Sequence, residues 1–272
     1  MSGAAGEALA PLVRAIEEEF VKAPPTIAVI GLSGVGKSST INVMFGTDKR
    51  VSATTRGTSR FNSKTLELAS NRVDGSAIRA ALRVIDAPGL GEDITLDQNY
   101  LARYRHHLPK ADIALWVVAA RNRALALDQR YLEQLADRMP RLVIGINQVD
   151  LADPVDWNEA INMPSSTQAD HISGIVEDRR EKLARYARNE APAVVAYSAR
   201  RYYNLQALFL ACIKSAPPER RWMFELLKSF STFDWLERAK GLSEAQKREL
   251  AKRYIASDAK IELEKLARVM KS

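Results

Sequence analysis

Gly31-Leu32-Ser33-Gly34-Val35-Gly36-Lys37-Ser38 has the spacing G-x-x-x-x-G-K-S. The apolar run Ile27-Ala28-Val29-Ile30 precedes it, and Ser39-Thr40-Ile41-Asn42-Val43-Met44-Phe45 follows. Strand, glycine-rich loop and helix in that order form a cradle for phosphate. Glycines let the backbone curl so that its N–H groups converge, and the positive end of the helix adds to the field. Gly31, Ser33, Gly34, Val35, Gly36 and Ser39 are the candidate cradle residues. Lys37 supplies a charge for the terminal phosphates, and the Ser38 hydroxyl is placed for Mg²⁺.

Outward from this loop the chain alternates strand and helix. Strands are predicted at 26–31, about 64–70, 79–86, 112–119, 141–147 and 193–197. Helices are predicted at about 37–45, 97–107, 127–138, 167–188 and 203–214, with 148–166 as a long irregular segment. Such alternation predicts an α/β fold with three layers and a mostly parallel six-stranded sheet. The second and third strands, joined by a turn-forming cluster, predict one antiparallel edge strand. Leu9, Leu12, Val13, Ile16 and Phe20 fall at helical spacing before the helix-stopping Pro24-Pro25. The expected division is therefore an N-terminal amphipathic helix (1–24), a nucleotide domain (25–216) and a C-terminal helical region (217–272) opened by Pro217-Pro218.

Four further signals follow in chain order. In Asp86-Ala87-Pro88-Gly89, at a strand end, Asp86 can hold Mg²⁺ through a water and the Gly89 N–H can reach the γ-phosphate. Asn147-Gln148-Val149-Asp150 also closes a strand. A carboxylate at Asp150 accepts from the ring N–H and the exocyclic amine of guanine, two donors that adenine lacks together. Ser198-Ala199-Arg200 follows the last strand and can touch the guanine carbonyl. In the loop 51–58 a threonine can complete the Mg²⁺ shell; Thr55 is the first choice, with Thr54 and Thr58 beside it. Lys37, Thr55 and Gly89 are the candidate catalytic residues, and Ser38, Thr55 and Asp86 the candidate metal ligands.

In this order the motifs resemble the translation-factor class of GTPases, and the Thr-Thr-Arg and Asp-Ala-Pro-Gly forms resemble its Era-like branch. Asp112-Ile113-Ala114-Leu115-Trp116-Val117-Val118, Arg123-Ala124-Leu125 and Asn147-Gln148-Val149-Asp150 resemble the compact bacterial GTPases called YeeP- or YfjP-like. The resemblance covers about 20–215 and implies GTP/GDP as ligand with Mg²⁺. That family carries Asn-Gln-x-Asp, so Gln148 fits guanine. Two positions depart from relatives. Gly34 stands where some Era-like enzymes carry an asparagine that serves K⁺ activation. Leu90 stands where Ras-type enzymes carry the glutamine that orients the attacking water. Positioning then falls to backbone groups, to Glu92 or Asp93, or to a partner, and turnover is expected on the order of 10⁻⁴ to 10⁻² s⁻¹.

Composition sets the outer limits. The chain has 272 residues, 46% of them hydrophobic, enough for a sizeable core. Its single cysteine, Cys212, excludes an internal disulfide and points to a reducing, cytoplasmic setting. No apolar run reaches the length of a membrane helix, and the start lacks a signal-peptide pattern. The net charge of +7 permits contact with RNA or an anionic membrane surface but reads more simply as a solvated basic surface. Arg179, Arg180, Lys182, Arg185 and Arg188 are read the same way, as a solvated helix face. The main expectation is a GTP-hydrolysing switch acting on a protein, ribosome or RNA partner. The alternatives are a self-assembling or membrane-associated scaffold gated by nucleotide, and a P-loop ATPase or kinase.

Overall fold

The computed structural model describes residues 3–45, 61–69, 78–91, 94–122, 125–187, 190–228 and 230. Thr55, Glu92, Asp93, Arg123, Arg188 and, of the expected C-terminal helical region, residues 229 and 231–272 lie outside the described residues.

The strands of the main sheet are β1 (Thr26–Gly31), β2 (Asn62–Ala69), β3 (Arg79–Asp86), β4 (Ile113–Ala119), β5 (Arg141–Asn147) and, last in the chain, β8 (Ala193–Ala196). They lie in the order β2-β3-β1-β4-β5-β8. All neighbours are parallel except β2, which runs antiparallel to β3 at the edge. β1 is buried throughout, and β4 and β5 nearly so, as strands covered on both faces must be. Helices α2 (Lys37–Phe45), α3 (Ile94–His107), α4 (Ala126–Leu135) and α5 (Ser166–Leu183) lie between successive strands, and α6 (Leu205–Ser215) follows the last. The site therefore gathers at the carboxyl ends of β1, β3, β5 and β8, where open parallel sheets place their ligands.

Two helices frame this unit. α1 (Gly3–Lys22) buries Ile16 and Phe20 and packs against β3, where the Glu17 carboxylate accepts the Arg79 N–H at 2.8 Å. α7 (Arg221–Leu227) meets it edge to face through Trp222 and Phe20, with ring centres 5.9 Å apart. Arg220 ties both ends to the sheet: it donates to the Ala23 carbonyl at 2.8 Å and pairs with Asp112 at 2.6 Å. Cys212 is wholly buried on α6, and burial pushes its thiol up to about 12.

Two expectations need correction. The segment 148–166 is not irregular throughout, because β6 (Trp157–Asn158) and β7 (Met163–Pro164) pair as a short hairpin. Two-residue strands carry no readable alternation, so only tertiary contacts reveal them. Arg179 does not lie on a solvated helix face. It is 4% exposed, and its guanidinium donates to the carbonyls of Ala120 and Asn122 beyond β4. Near it lies Asp128, also buried, which accepts the Trp116 indole N–H at 2.9 Å. Burial pushes the Asp128 carboxyl up to about 6, although the Trp116 bond and the charge of Arg179 pull the other way.

Candidate nucleotide site

At the end of β1 the backbone turns with no room to spare. Gly31 has φ +140°, and a Cβ there would sit 2.4 Å from the Val117 carbonyl oxygen of β4. Only glycine fits. The Lys37 ammonium, almost buried, reaches back to donate to the Leu32 carbonyl at 2.7 Å and so curls the loop around itself. Lys37 and Ser38 open α2, so their amides and the helix dipole face the loop interior. Thr40 closes the first turn: its hydroxyl bonds the Gly36 carbonyl at 2.9 Å and the Tyr197 hydroxyl at 2.7 Å.

β3 delivers the second motif beside this loop. Asp86 is the last residue of β3 and is 2% exposed. Beyond Gly89 the chain does not leave the loop. Leu90 forms a parallel bridge with Leu32, its N–H donating to Gly31 at 3.3 Å and its carbonyl accepting from Ser33 at 2.9 Å. The Ser33 amide, a candidate phosphate donor, is thus engaged by Leu90. The Leu90 side chain is wholly buried. α3 and α4 hold the turn from outside. Tyr104 donates to the Pro88 carbonyl, and Asp97 accepts the Gly91 N–H at 3.1 Å and the Tyr131 hydroxyl. Burial first, and the Asp97 bond second, push the Tyr131 hydroxyl up to about 12.

The base end is built from side chains. Asn147, 2% exposed, joins two loops: its amide nitrogen donates to the Val35 carbonyl at 3.0 Å, and its oxygen accepts the Ala199 N–H at 3.0 Å. A Cβ at Gly36 would lie 2.4 Å from that same amide nitrogen, so the phosphate loop and the base loop touch. Gln148 takes a left-handed conformation (φ 64°) and its amide donates to the Gly34 carbonyl at 3.3 Å. That kink starts the short turn Val149–Leu151, which carries Asp150 inward. A cleft of about 490 Å³ brings together the predicted residues Gly36, Ser39, Asn147, Gln148, Asp150, Ser198, Ala199 and Arg200. Asn42, Val43, Leu151 and Tyr202 also line it, unforeseen. Gly31, Ser33, Gly34, Val35, Lys37 and Ser38 sit on the adjoining loop rather than in this cleft wall.

The residues fit a guanine nucleotide on one observation above all. Asp150 is 3% exposed and lines the cleft, yet its Oδ1 finds no hydrogen-bond partner among the described residues. A buried carboxylate oxygen without a donor costs free energy that a donor-bearing ligand relieves. Ser38 offers a hydroxyl and Asp86 a carboxylate, the oxygen chemistry that a hard cation such as Mg²⁺ would take.

Residues 26–148 match the family model described as 50S ribosome-binding GTPase. Over that stretch the chain is similar to a P-loop GTPase domain. It is 30% identical to YfjP of Escherichia coli over 201 residues, which are 72% of this chain and 63% of that protein. It is 33% identical to YeeP of the same organism over 118 residues, 42% of this chain and 47% of YeeP. It is 27% identical to the tRNA modification GTPase MnmE of Natranaerobius thermophilus over 156 residues, 57% of this chain and 32% of MnmE. The chain thus spans less than two thirds of the length of these relatives.

Several residues that brace the site carry no signal in the sequence. Asp97 sits in the first turn of α3, an ordinary place for an acidic residue, and nothing in its spacing points back to Gly91. Tyr104 and Tyr131 sit in polar helical stretches and Tyr197 ends an apolar strand, and their hydroxyl partners lie 16, 34 and 157 residues away. Another cleft, of about 980 Å³, lies between α5 and the loops after β4 and β5 and contains none of the motif residues. Among the described residues no helix is long and apolar enough to cross a membrane.

Proposed function

We propose that this chain binds GTP and GDP with Mg²⁺, hydrolyses GTP slowly, and serves as a nucleotide-dependent switch in the cytoplasm. The observation that carries the reading is the unpartnered Oδ1 of Asp150 in a cleft walled by Asn147 and Ala199. In this scheme Asp150 accepts from the two donors on the guanine edge, and Ser198, Ala199 and Arg200 border its carbonyl side. Gly31 to Ser39 hold the phosphates, with Lys37 as the point charge. Ser38, Asp86 and Thr55 hold the metal. A Mg²⁺ held by these residues would supply positive charge against the phosphate oxygens. The Gly89 N–H donates to the terminal phosphate, which makes the segment beyond it responsive to that phosphate. We assign 1–24 to a bracing helix, 25–216 to the GTPase domain and 217–272 to a helical region that passes the change on.

Slow turnover follows from Leu90. Its side chain is buried and has no polar atom, so it cannot orient water. Single-turnover hydrolysis by the purified chain is expected on the order of 10⁻⁴ to 10⁻² s⁻¹, and a rate well above ~1 s⁻¹ without a partner would sink this point. Base recognition has its own test. Asp150→Asn exchanges an acceptor for an amide donor, which suits the carbonyl that xanthine carries in place of the guanine amine. The variant is expected to lose GDP by about a hundredfold or more and to gain xanthosine diphosphate; unchanged GDP affinity refutes the assignment. The family description supports a ribosomal or RNA partner. A pull-down with a non-hydrolysable GTP analogue against GDP tests it, and a partner list indifferent to nucleotide argues against a switch.

A further inference from the structure

The hairpin β6–β7 follows directly on the base loop and meets the strand-end loop 198–204 through one arginine. Asn162, at the hairpin turn, donates to the Arg201 carbonyl at 2.9 Å and accepts the Trp157 indole N–H at 3.1 Å. Trp157 stands edge to face against Tyr203, ring centres 5.1 Å apart. The Arg201 guanidinium lies over Trp157 at 5.9 Å and forks onto Glu159, with Nη2 to Oε1 at 2.6 Å and Nη1 to Oε2. Its own amide donates to the Ser198 hydroxyl at 3.1 Å. Thus backbone and head group are both held, and what remains points inward: Nε lies 3.8 Å from Asp150 Oδ2.

That distance is too long for a hydrogen bond and short enough for strong attraction at a half-buried site. The consequence is orientational. The carboxylate torsion of aspartate is broad and nearly two-fold, so its rotamer preference alone does not fix which oxygen faces the cleft. Arg201 draws Oδ2 to its own side and so restricts how the carboxylate turns, while the buried Oδ1 has no hydrogen-bond partner among the described residues. Recognition of guanine needs both oxygens in the plane of the ring edge, so the setting of this torsion decides how well two donors are met at once.

We propose that Arg201 is a positioning residue for base recognition, and that the hairpin, through Glu159 and Trp157, sets how tightly and how selectively the guanine nucleotide is held. The inference rests on reading Asp150 as the guanine acceptor. Any partner or substitution that displaces the hairpin then loosens the nucleotide from a point outside the cleft. Glu159 is 68% exposed and so is accessible to such a partner.

The test compares GDP with IDP, whose base lacks the exocyclic amine and offers Asp150 one donor instead of two. Full-length parent, Glu159→Gln, Arg201→Lys, Arg201→Met and the double variant are titrated with both nucleotides, and melting is followed in parallel. Arg201→Met is expected to weaken GDP on the order of tenfold and IDP less, which narrows the GDP/IDP ratio. Glu159→Gln moves the ratio the same way by about threefold, as a partly exposed pair allows. Arg201→Lys falls between parent and Arg201→Met, because it keeps the charge without the fork. The double variant is no worse than Arg201→Met, since the two groups act in series. Equal losses of GDP and IDP make Arg201 a structural prop and overturn the proposal. Should Arg201→Met fail to fold, an unchanged ratio in Glu159→Gln overturns it. Asp150→Asn separates the two readings: a gain of xanthosine diphosphate with flat ratios in the other variants sinks only the positioning role, whereas no gain sinks both.

Discussion

The two ends of the nucleotide cleft are made of different material. The phosphate end is backbone: glycines that fit where no Cβ can, a lysine tied to a carbonyl, and a strand bridge between Leu32 and Leu90. The base end is side chain: Asn147, Asp150 and their supports from three separate loops. Phosphate is the same on every nucleotide, so a ring of amides recognises it without discrimination. A base must be told from other bases, and that requires donors and acceptors of fixed identity, buried so that water does not substitute for them.

The comparison can be broken at each end. Gly31→Ala is the harsher change, because the new Cβ would meet the Val117 carbonyl, a backbone atom of β4 that cannot step aside, at 2.4 Å. We expect a loss of about 4 kcal/mol or more of folding stability, read from urea unfolding. Asn147→Ala strikes the joint between the ends. It leaves the Val35 carbonyl and the Ala199 N–H, both bonded to Asn147 in the parent, without that partner. A cost of about 2–4 kcal/mol is expected in the same measurement. If the two ends were independent, this variant would lose base affinity while leaving the phosphate loop unchanged in hydrogen exchange; protection is instead expected to fall in both.

The smallest effect lies away from the cleft and has the opposite sign. Asp128 has its carboxyl raised from 3.8 to about 6, so its stabilising contribution is fully present below about pH 4 and is lost as the pH rises through 6. Asn in its place keeps an acceptor for Trp116 and does not ionise. Asp128→Asn is therefore expected to be more stable than the parent at pH 7.5 by on the order of 2 kcal/mol, and to flatten the decline between pH 4 and 6. A thermal-melting series against pH checks both; a variant less stable at pH 7.5 contradicts them.

The same division explains how much was legible before the coordinates. The phosphate loop, β1, β4 and β5 stood out because they depend on glycine spacing and on continuous apolar runs, both local properties. Asn147 and Asp150 could be named but not explained: their meaning depends on Val35 and Ala199, which lie 112 and 52 residues away from Asn147. Arg201 and the hairpin were invisible for a related reason. A two-residue strand has no period, and an arginine in a basic sequence looks like solubility. Arg179 was misread on the same grounds, since its buried partners are carbonyls contributed by another loop.

The Leu90 bridge has a mechanical consequence. A swing of the chain beginning at Gly89 would break two hydrogen bonds to the phosphate loop and drag a wholly buried leucine into water. A swing beginning at Gly91 breaks neither and, among the described residues, meets the clasp of Asp97, at a residue whose φ of +78° already suits a sharp bend. The segment after Asp86-Ala87-Pro88-Gly89 is therefore anchored to the phosphate loop one residue beyond the motif, at Leu90.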